Sequence, residues 1–243
     1  MYQFAVNIAG HVIKLETLYE KSFKFFKDFI TVANPEFSIS AKQQDIERQL
    51  QEEYKESNNL QLDTSLESRA LQQLLTERLI DEKVLLMHGS VVAKNNQAYL
   101  FSAPSGTGKT FHTFLWLVNC PDAIVVNGDK PFIKFSDDGT PPLACGSPWA
   151  GKENMYTNTM VPLKAIVLLE RTEDNHIEQI SFANAFPTLL QQTYRPEDPE
   201  KMRKTLQLLQ RLDPAVSFWR FQCNNFKADS FPTAYRALTG REP

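Results

Sequence analysis

The sequence has few cysteines, and they follow no disulfide or metal-binding pattern. Cys120, Cys145 and Cys223 are scattered along the chain without C-x-x-C spacing. An odd number of unclustered cysteines suits a reducing compartment, where thiols stay free. Cys145 precedes a glycine-containing loop, but no paired base is evident in the sequence, and we interpret this residue as a small hydrophobe. We therefore expect a cytoplasmic protein without disulfides.

Long hydrophobic runs and an excess of basic residues are also absent. No apolar run approaches the ~20 residues that a membrane helix requires. The first ten residues lack the basic region and apolar core of a secretory signal, so we expect none. The formal net charge is −3, whereas a general nucleic-acid binder has a basic face and a high pI. We therefore expect neither a membrane nor a nucleic acid as partner.

The chain of 243 residues, 42% hydrophobic and 23% charged, is long enough to bury a substantial core. Alternating apolar residues in the first thirty positions indicate strands, and residues 42–59 are polar enough for a solvated helix or a loop. We predict an N-terminal β-containing lobe over residues 1–62 and a nucleotide-binding domain over residues 63–243. Because strands and helices mix in the second part, the fold class is α/β or α+β.

Residues 87–110 predict a strand hairpin followed by a phosphate-binding loop. Asn95-Asn96 is a hairpin turn signal between two apolar segments, and residues 111–118 continue as a helix. The loop between strand and helix consists of Ser105, Gly106, Thr107, Gly108, Lys109 and Thr110. Backbone N–H groups of such a loop surround an anion at a helix N-terminus, the lysine reaches the β- and γ-phosphates, and the hydroxyl holds Mg²⁺. The alternative is a surface turn, since Ala103 stands where the P-loop pattern has its first glycine.

Asp129 follows a short apolar run at residues 123–126, which is typical of a buried strand. A carboxylate just past the strand beside a phosphate loop is placed to bind metal or to act as a base. The alternative is structural, because an Asn-Gly-Asp sequence also forms Asx turns.

His88, Lys152 and Glu153 are weaker candidates for the same site. A lone histidine on an apolar strand is often a hydrogen-bonded core residue, and spacing alone does not assign His88. Lys152 and Glu153 follow a Gly-Ser-Pro-Trp-Ala-Gly turn whose glycines permit close approach to a ligand. They fit a ligand-binding loop and a solvated charge pair equally well.

Taken in order, His88-Gly89-Ser90, the hairpin, the loop ending in Lys109-Thr110 and then Gly128-Asp129 resemble the HPr kinase/phosphorylase and PEP carboxykinase superfamily. The resemblance extends over about residues 66–238 and is densest over residues 87–153. It implies a PEP carboxykinase-type P-loop domain in which Lys109 and Thr110 hold phosphates and metal. It also implies that Asp129 is a metal ligand or the catalytic base, and that His88 lies near the metal or near this aspartate.

The sequence departs from this family at two places. Kinases of the family usually carry two consecutive aspartates where this chain has Gly128 and a single Asp129, which makes Glu153 the candidate for a second acid. The E-x-R-G segment of HPr kinases is absent, which argues against HPr as substrate and against phosphorolysis. The chain is also too short for the two-lobed PEP carboxykinases.

These observations predict a kinase that uses ATP and Mg²⁺ to phosphorylate a hydroxyl, most simply a serine of a peptide or protein. Thr110 and Asp129 are the expected metal ligands, and Lys109, Asp129, His88 and Glu153 the expected catalytic residues. A small-molecule acceptor and a nucleotide-binding module without phosphoryl transfer are the alternatives. The resemblance also implies a possible homo-oligomer.

Overall fold

The computed structural model describes residues 1–57, 65–224 and 226–242. The chain divides into two compact units, Met1–Glu82 and Lys83–Pro243. The domain boundary predicted between residues 62 and 63 lies outside the described residues.

The first unit contains a mixed sheet in the order β3-β1-β2-β4. Its strands are β1 (Tyr2–Ile8), β2 (His11–Thr17), β3 (Ile30–Thr31) and β4 (Phe37–Ser40). Its helices are α1 (Glu20–Phe25), α2 (Gln43–Ser57) and α3 (Ser65–Asp81). Strands β1 and β2 form an antiparallel hairpin, whereas β4 runs parallel to β2. The aromatic-rich segment after β2 begins as the helix α1.

A buried carboxylate ties α3 into this first unit. Glu67 is 1% exposed, and its oxygens accept hydrogen bonds from the backbone N–H groups of Leu18 and Tyr19 and from the hydroxyl of Ser22. The two backbone donors lie just before α1 and the hydroxyl lies within it, so Glu67 holds the chain where it enters this helix. The sequence-based division had placed α3 with the nucleotide-binding domain, whereas α3 groups with the first unit in the structure, where Glu67 makes these long-range contacts.

The second unit is built on a large mixed sheet. Its strands are β5 (Val84–Leu86), β6 (Ser90–Lys94), β7 (Gln97–Ser102), β8 (Ile124–Asn127), β9 (Phe132–Lys134), β10 (Leu143–Cys145), β11 (Met160–Arg171), β12 (His176–Ile180) and β13 (Ser217–Cys223). Its helices are α4 (Lys109–Asn119), α5 (Phe182–Gln192), α6 (Pro199–Gln210) and α7 (Ser230–Thr239). The hairpin predicted at Asn95-Asn96 is present, and both residues take the positive φ that a tight turn of this kind requires.

Alternate residues of the central strands face two different cores. Leu100, Ile166 and Leu168 pack with residues of α5 and α6, whereas Phe101 and Val167 pack with residues of α4 and α7. Because successive strand side chains point to opposite faces, this alternation places helices on both sides of the sheet. The predicted α/β class is thus what the second unit shows, with a mixed sheet between two helical layers.

The order β8-β6-β7-β11-β13 brings several strand ends to one edge of the sheet. Strands β7, β11 and β13 are parallel, while β6 is antiparallel to both β7 and β8. The carboxyl ends of β7, β8, β11 and β13 therefore lie at the same edge as the start of β6. Ligands of α/β sheets bind at such an edge.

Two features of the structure relate to what the sequence lacks, namely a disulfide pattern and long hydrophobic runs. Cys120, Cys145 and Cys223 are buried and free. Within the described residues, no helix combines the length and apolarity needed to cross a membrane. The short strand β10 joins β9 to β11 by antiparallel pairing.

Candidate functional site

A cavity of about 480 Å³ opens at the edge where β7 and β8 end and β6 begins. Its lining includes nearly all the residues that the sequence singled out. They are His88, Ser105, Gly106, Gly108, Lys109, Thr110, Asp129, Lys152 and Glu153. Thr107 instead lines a neighbouring cavity, and its hydroxyl donates to the carbonyl oxygen of Pro104 at 2.9 Å. The fold therefore brings together residues that are up to 65 positions apart in the sequence.

The loop before α4 has the backbone of an anion-binding turn. Gly106 and Gly108 have φ of +79° and +112°, a region that side chains other than glycine rarely occupy. Gly108 is the N-cap of α4, so the free N–H groups of the first helical turn face the loop. Ala103 is not among the described residues with positive φ, which explains why alanine is tolerated where the P-loop pattern has glycine.

Lys109 is folded onto its own loop. Its Nζ donates to the carbonyl oxygens of Ala103 at 2.8 Å and Pro104 at 3.2 Å, and the residue is only 8% exposed. Burial lowers the pKa of Lys109. The negative charge of Asp129 opposes this shift, and the positive charge of Lys130 adds to it. An ammonium group has three donors, so one remains to bind an anion in the cavity.

His88 and Asp129 form a pair opposite the loop. Nε2 of His88 lies 3.3 Å from Oδ1 of Asp129, and both side chains remain partly exposed to the cavity. Partial burial opposes ionisation of Asp129, but the hydrogen bond with His88 and the charges of Lys130 and Lys109 outweigh it. The pKa of Asp129 therefore lies below its usual value. The carboxylate is thus ionised at neutral pH, as a metal ligand or base must be.

Gln192 contacts the histidine, although no sequence pattern had indicated this residue. Its Oε1 lies 2.8 Å from Nδ1 of His88, and its backbone oxygen accepts from the backbone N–H of His88 at 2.6 Å. The two residues are 104 positions apart, and the last residue of α5 reaches His88 only through the folding of the chain. A partner on Nδ1 fixes the ring plane and directs Nε2 toward Asp129.

The Asx turn expected at residues 127–129 is made by Asn127 rather than Asp129. Oδ1 of the buried Asn127 accepts from the backbone N–H groups of Asp129 and Lys130 at 2.8 and 2.7 Å. Its Nδ2 donates to the backbone oxygen and the hydroxyl of Ser147. Asn127 therefore forms the Asx turn, and the carboxylate of Asp129 faces the cavity.

Replacement of Asn127 by alanine should destabilise this unit by about 2–4 kcal/mol, because the backbone N–H of Asp129 loses this acceptor and the buried Ser147 loses the amide donor. The melting temperature should fall by about 5–10 °C, measured by thermal unfolding monitored by circular dichroism. Asn119→Ala is the matched control, since its amide bonds Leu115 at an exposed position, and it should change stability by under about 0.5 kcal/mol. A loss below about 1 kcal/mol for Asn127→Ala would show that the turn forms without this residue.

Close packing around two glycines shapes the wall that faces the loop. A Cβ at Gly128 would lie 2.9 Å from the carbonyl oxygen of Ala150, so an aspartate does not fit there without displacing backbone. A Cβ at Gly151 would lie 3.1 Å from Cβ of Asp129 and 3.7 Å from Oε2 of Glu153. Asp129 and the exposed Glu153 therefore flank Gly151, and Glu153 is the second carboxylate at the cavity.

Comparison with known proteins adds one weak likeness. Neither a family model nor a curated protein sequence matches the chain. Among the solved structures that match is that of the Hpr(Ser) kinase/phosphatase from Coxiella burnetii, with 12% sequence identity and a TM-score of 0.29. The match covers 52% of this chain and 90% of that chain. The relationship is a weak structural one, and it identifies no activity of this chain.

The donor atoms at the cavity fit Mg²⁺ in the way nucleotide sites hold it. Among the described residues, no group of three or more His, Cys, Asp or Glu side chains is arranged to hold a metal ion. Mg²⁺ in such sites is bound by one or two protein ligands, and phosphates and waters supply the rest. The hydroxyl of Thr110 and the ionised carboxylate of Asp129, which line the same cavity, are a donor set of that kind.

Proposed function

We propose that this protein is an ATP-dependent kinase that transfers the γ-phosphoryl group to a hydroxyl. The observation that carries the proposal is the shared cavity. An anion-binding loop with Lys109 and Thr110 lies opposite an ionised carboxylate that is paired with a histidine. Phosphoryl transfer needs these two elements together, because its catalysis consists mainly of positioning and of charge stabilisation.

The loop is the proposed phosphate-binding element. The N–H groups at the start of α4 and the free donor of Lys109 would neutralise negative charge on the β- and γ-phosphates. They are fixed before the reaction by the loop's own hydrogen bonds, so little reorganisation is needed as charge moves to the β-phosphate. Thr110 and Asp129 would hold Mg²⁺, which neutralises charge shared between the phosphates.

Asp129 is the proposed base, and His88 its positioning partner. The acceptor oxygen forms a bond to the γ-phosphorus while the bond from that phosphorus to the bridging oxygen of ADP breaks. The proton of the acceptor hydroxyl passes to the carboxylate oxygen of Asp129 that would not hold Mg²⁺. His88 holds that carboxylate in place through the 3.3 Å contact, and Gln192 holds the ring.

The proposed acceptor is a serine of a peptide or protein, the class that the family resemblance implies. Lys152 and Glu153 are exposed at the rim of the cavity, on the loop that faces Asp129. An exposed rim leaves room for a macromolecular acceptor. A small-molecule hydroxyl is the alternative acceptor, and a panel of metabolites beside a panel of serine peptides separates the two.

The direct test is incubation of the full chain with γ-labelled ATP, Mg²⁺ and serine-containing peptides, with separation of labelled peptide from free phosphate. We expect label on the peptide hydroxyl and no transfer to peptides in which serine is replaced by alanine. Saturable ATP binding without transfer to any peptide or metabolite would contradict the proposal. It would support the alternative of a nucleotide-binding module, which the lack of a second acid at Gly128 favours.

A further inference from the structure

A second cavity, of about 290 Å³, adjoins the phosphate loop on the side away from Asp129. It shares Gly108 and Phe111 with the larger cavity, so the two adjoin at these residues. Its surface is mainly apolar, and Phe226, Thr172 and Cys223 contribute to its walls. None of the proposed catalytic steps uses it.

The strand order explains why this cavity lies where it does. Thr172 and Cys223 stand at the ends of β11 and β13, which run parallel to β7 and lie on its far side from β6 and β8. Asp129 follows β8 and His88 precedes β6. Along the sheet edge, the pair of His88 and Asp129 therefore comes first, followed by the phosphate loop and then by the apolar cavity.

We propose that this second cavity binds the base of the nucleotide whose phosphates occupy the loop. This inference rests on the proposed function, because only a nucleotide held by the loop brings a base to this position. With the terminal phosphate directed toward Asp129, the remainder of the nucleotide extends in the opposite direction along the edge. The apolar cavity is the feature on that side that continues directly from the loop.

Two aromatic rings give the cavity the chemistry of a base-stacking site. The ring centroids of Phe111 and Phe226 are 5.4 Å apart, with planes inclined at 45°. Phe111 is 39% exposed and Phe226 is 86% exposed, so both rings present faces to solvent. Every nucleobase has a face that stacks on such rings, and loss of one stacking ring typically weakens binding by about 10- to 100-fold.

Two polar side chains of the cavity wall are engaged with neighbouring backbone groups, which affects selectivity between bases. The hydroxyl of Thr172 donates to the carbonyl oxygen of Asp174 at 2.8 Å, and Oδ1 of Asn224 accepts from the backbone N–H of Phe226 at 3.1 Å. Burial raises the pKa of Cys223 to about 11, so its thiol is neutral. Stacking without dedicated hydrogen bonds to the base edges should distinguish adenine from guanine poorly.

Arg171 lines the apolar cavity and also contacts the phosphate loop. It is the last residue of β11, and its guanidinium donates to the backbone oxygen of Gly106 at 3.1 Å. The phosphate loop and the apolar cavity are thus held in a fixed relation. A base and a phosphate chain bound at the two positions would reinforce each other's binding.

The test is isothermal titration of the full chain with ATP, GTP and inorganic tripolyphosphate in the presence of Mg²⁺. Tripolyphosphate carries at least the charge of ATP, so electrostatic attraction does not favour ATP. We expect ATP and GTP to bind within about 5-fold of each other and tripolyphosphate at least about 10-fold more weakly. Phe226→Ala should weaken ATP binding about 10-fold, and Phe226→Trp should retain it.

Phe114→Ala is the matched control, since Phe114 is 52% exposed on the same helix as Phe111 and lines neither cavity. It should leave ATP affinity within 2-fold. Equal affinity for ATP and tripolyphosphate, or ATP affinity unchanged in Phe226→Ala, would overturn the base site while leaving phosphate binding by the loop intact. Failure of both ATP and tripolyphosphate to bind would instead overturn the proposed function, and the base site with it.

Discussion

Replacement of Asp129 by asparagine is expected to lower the rate of phosphoryl transfer by about 1,000-fold, within the 10²–10⁴ range of general acid–base catalysis. Asparagine keeps the size of the side chain and can still accept a hydrogen bond from His88. It removes the negative charge that accepts the proton and binds the metal. The measurement is the initial rate of label transfer from γ-labelled ATP at saturating nucleotide, with thermal unfolding as a check of folding.

The matched control for this substitution is Asp122→Asn. Asp122 is exposed and pairs with Lys94, so it carries an ion pair but lines no part of the cavity. This control should keep its rate within 2-fold of the unchanged protein. If Asp129→Asn also retained its rate within a few-fold while folding normally, Asp129 would be neither base nor metal ligand.

Replacement of Lys109 by methionine should reduce transfer by at least about 100-fold and weaken ATP binding as well. Methionine preserves the unbranched chain and packs in the same buried position, whereas the donors to phosphate are lost. The loss of one preorganised donor at a reacting group typically costs 10²–10³ in rate. The measurements are the same label transfer and the titration of ATP into the variant.

The charge of Lys109 also predicts how binding depends on pH. Burial lowers the pKa of Lys109 from its ordinary value of 10.5. The lysine holds phosphate in its protonated form, so ATP affinity should decline as pH rises, beginning below pH 10.5. Lys94→Met, which removes a partly buried lysine that pairs with Asp122 outside the cavity, should show normal transfer and normal affinity. Full transfer by Lys109→Met would exclude the loop as the phosphate site.

The sequence predicted most elements of the second unit because its signals are local. The Asn95-Asn96 turn, the apolar run before Asp129 and the glycines before Lys109 each act on neighbouring backbone, and the structure has a hairpin, the strand β8 and the N-terminus of α4 there. By contrast, the segment of β10 is only three residues long. So short a strand exists through its pairing with β9 and β11, which no local pattern indicates.

The candidate site was partly visible in the sequence for the same reason. Phosphate loops require glycine at particular φ values, so Gly106 and Gly108 were recognisable before any fold was known. The contacts that orient the site were not. Gln192 reaches His88 from 104 residues away, and Phe226 meets Phe111 from a different strand end. Such partners are chosen by packing, and many residue types at those positions would look equally plausible in sequence.

The sequence alone determined the loop, the helix that follows it and the acidic residue after β8, because backbone geometry and hydrogen bonding between near neighbours specify them. Only the tertiary structure decided that Asn127 forms the turn while Asp129 faces the cavity, and that α3 groups with the first unit, where Glu67 is buried. It also decided that an apolar cavity continues from the loop. These features depend on which strand ends the sheet order brings to one edge and on which buried polar groups need partners, and both are properties of the whole folded chain.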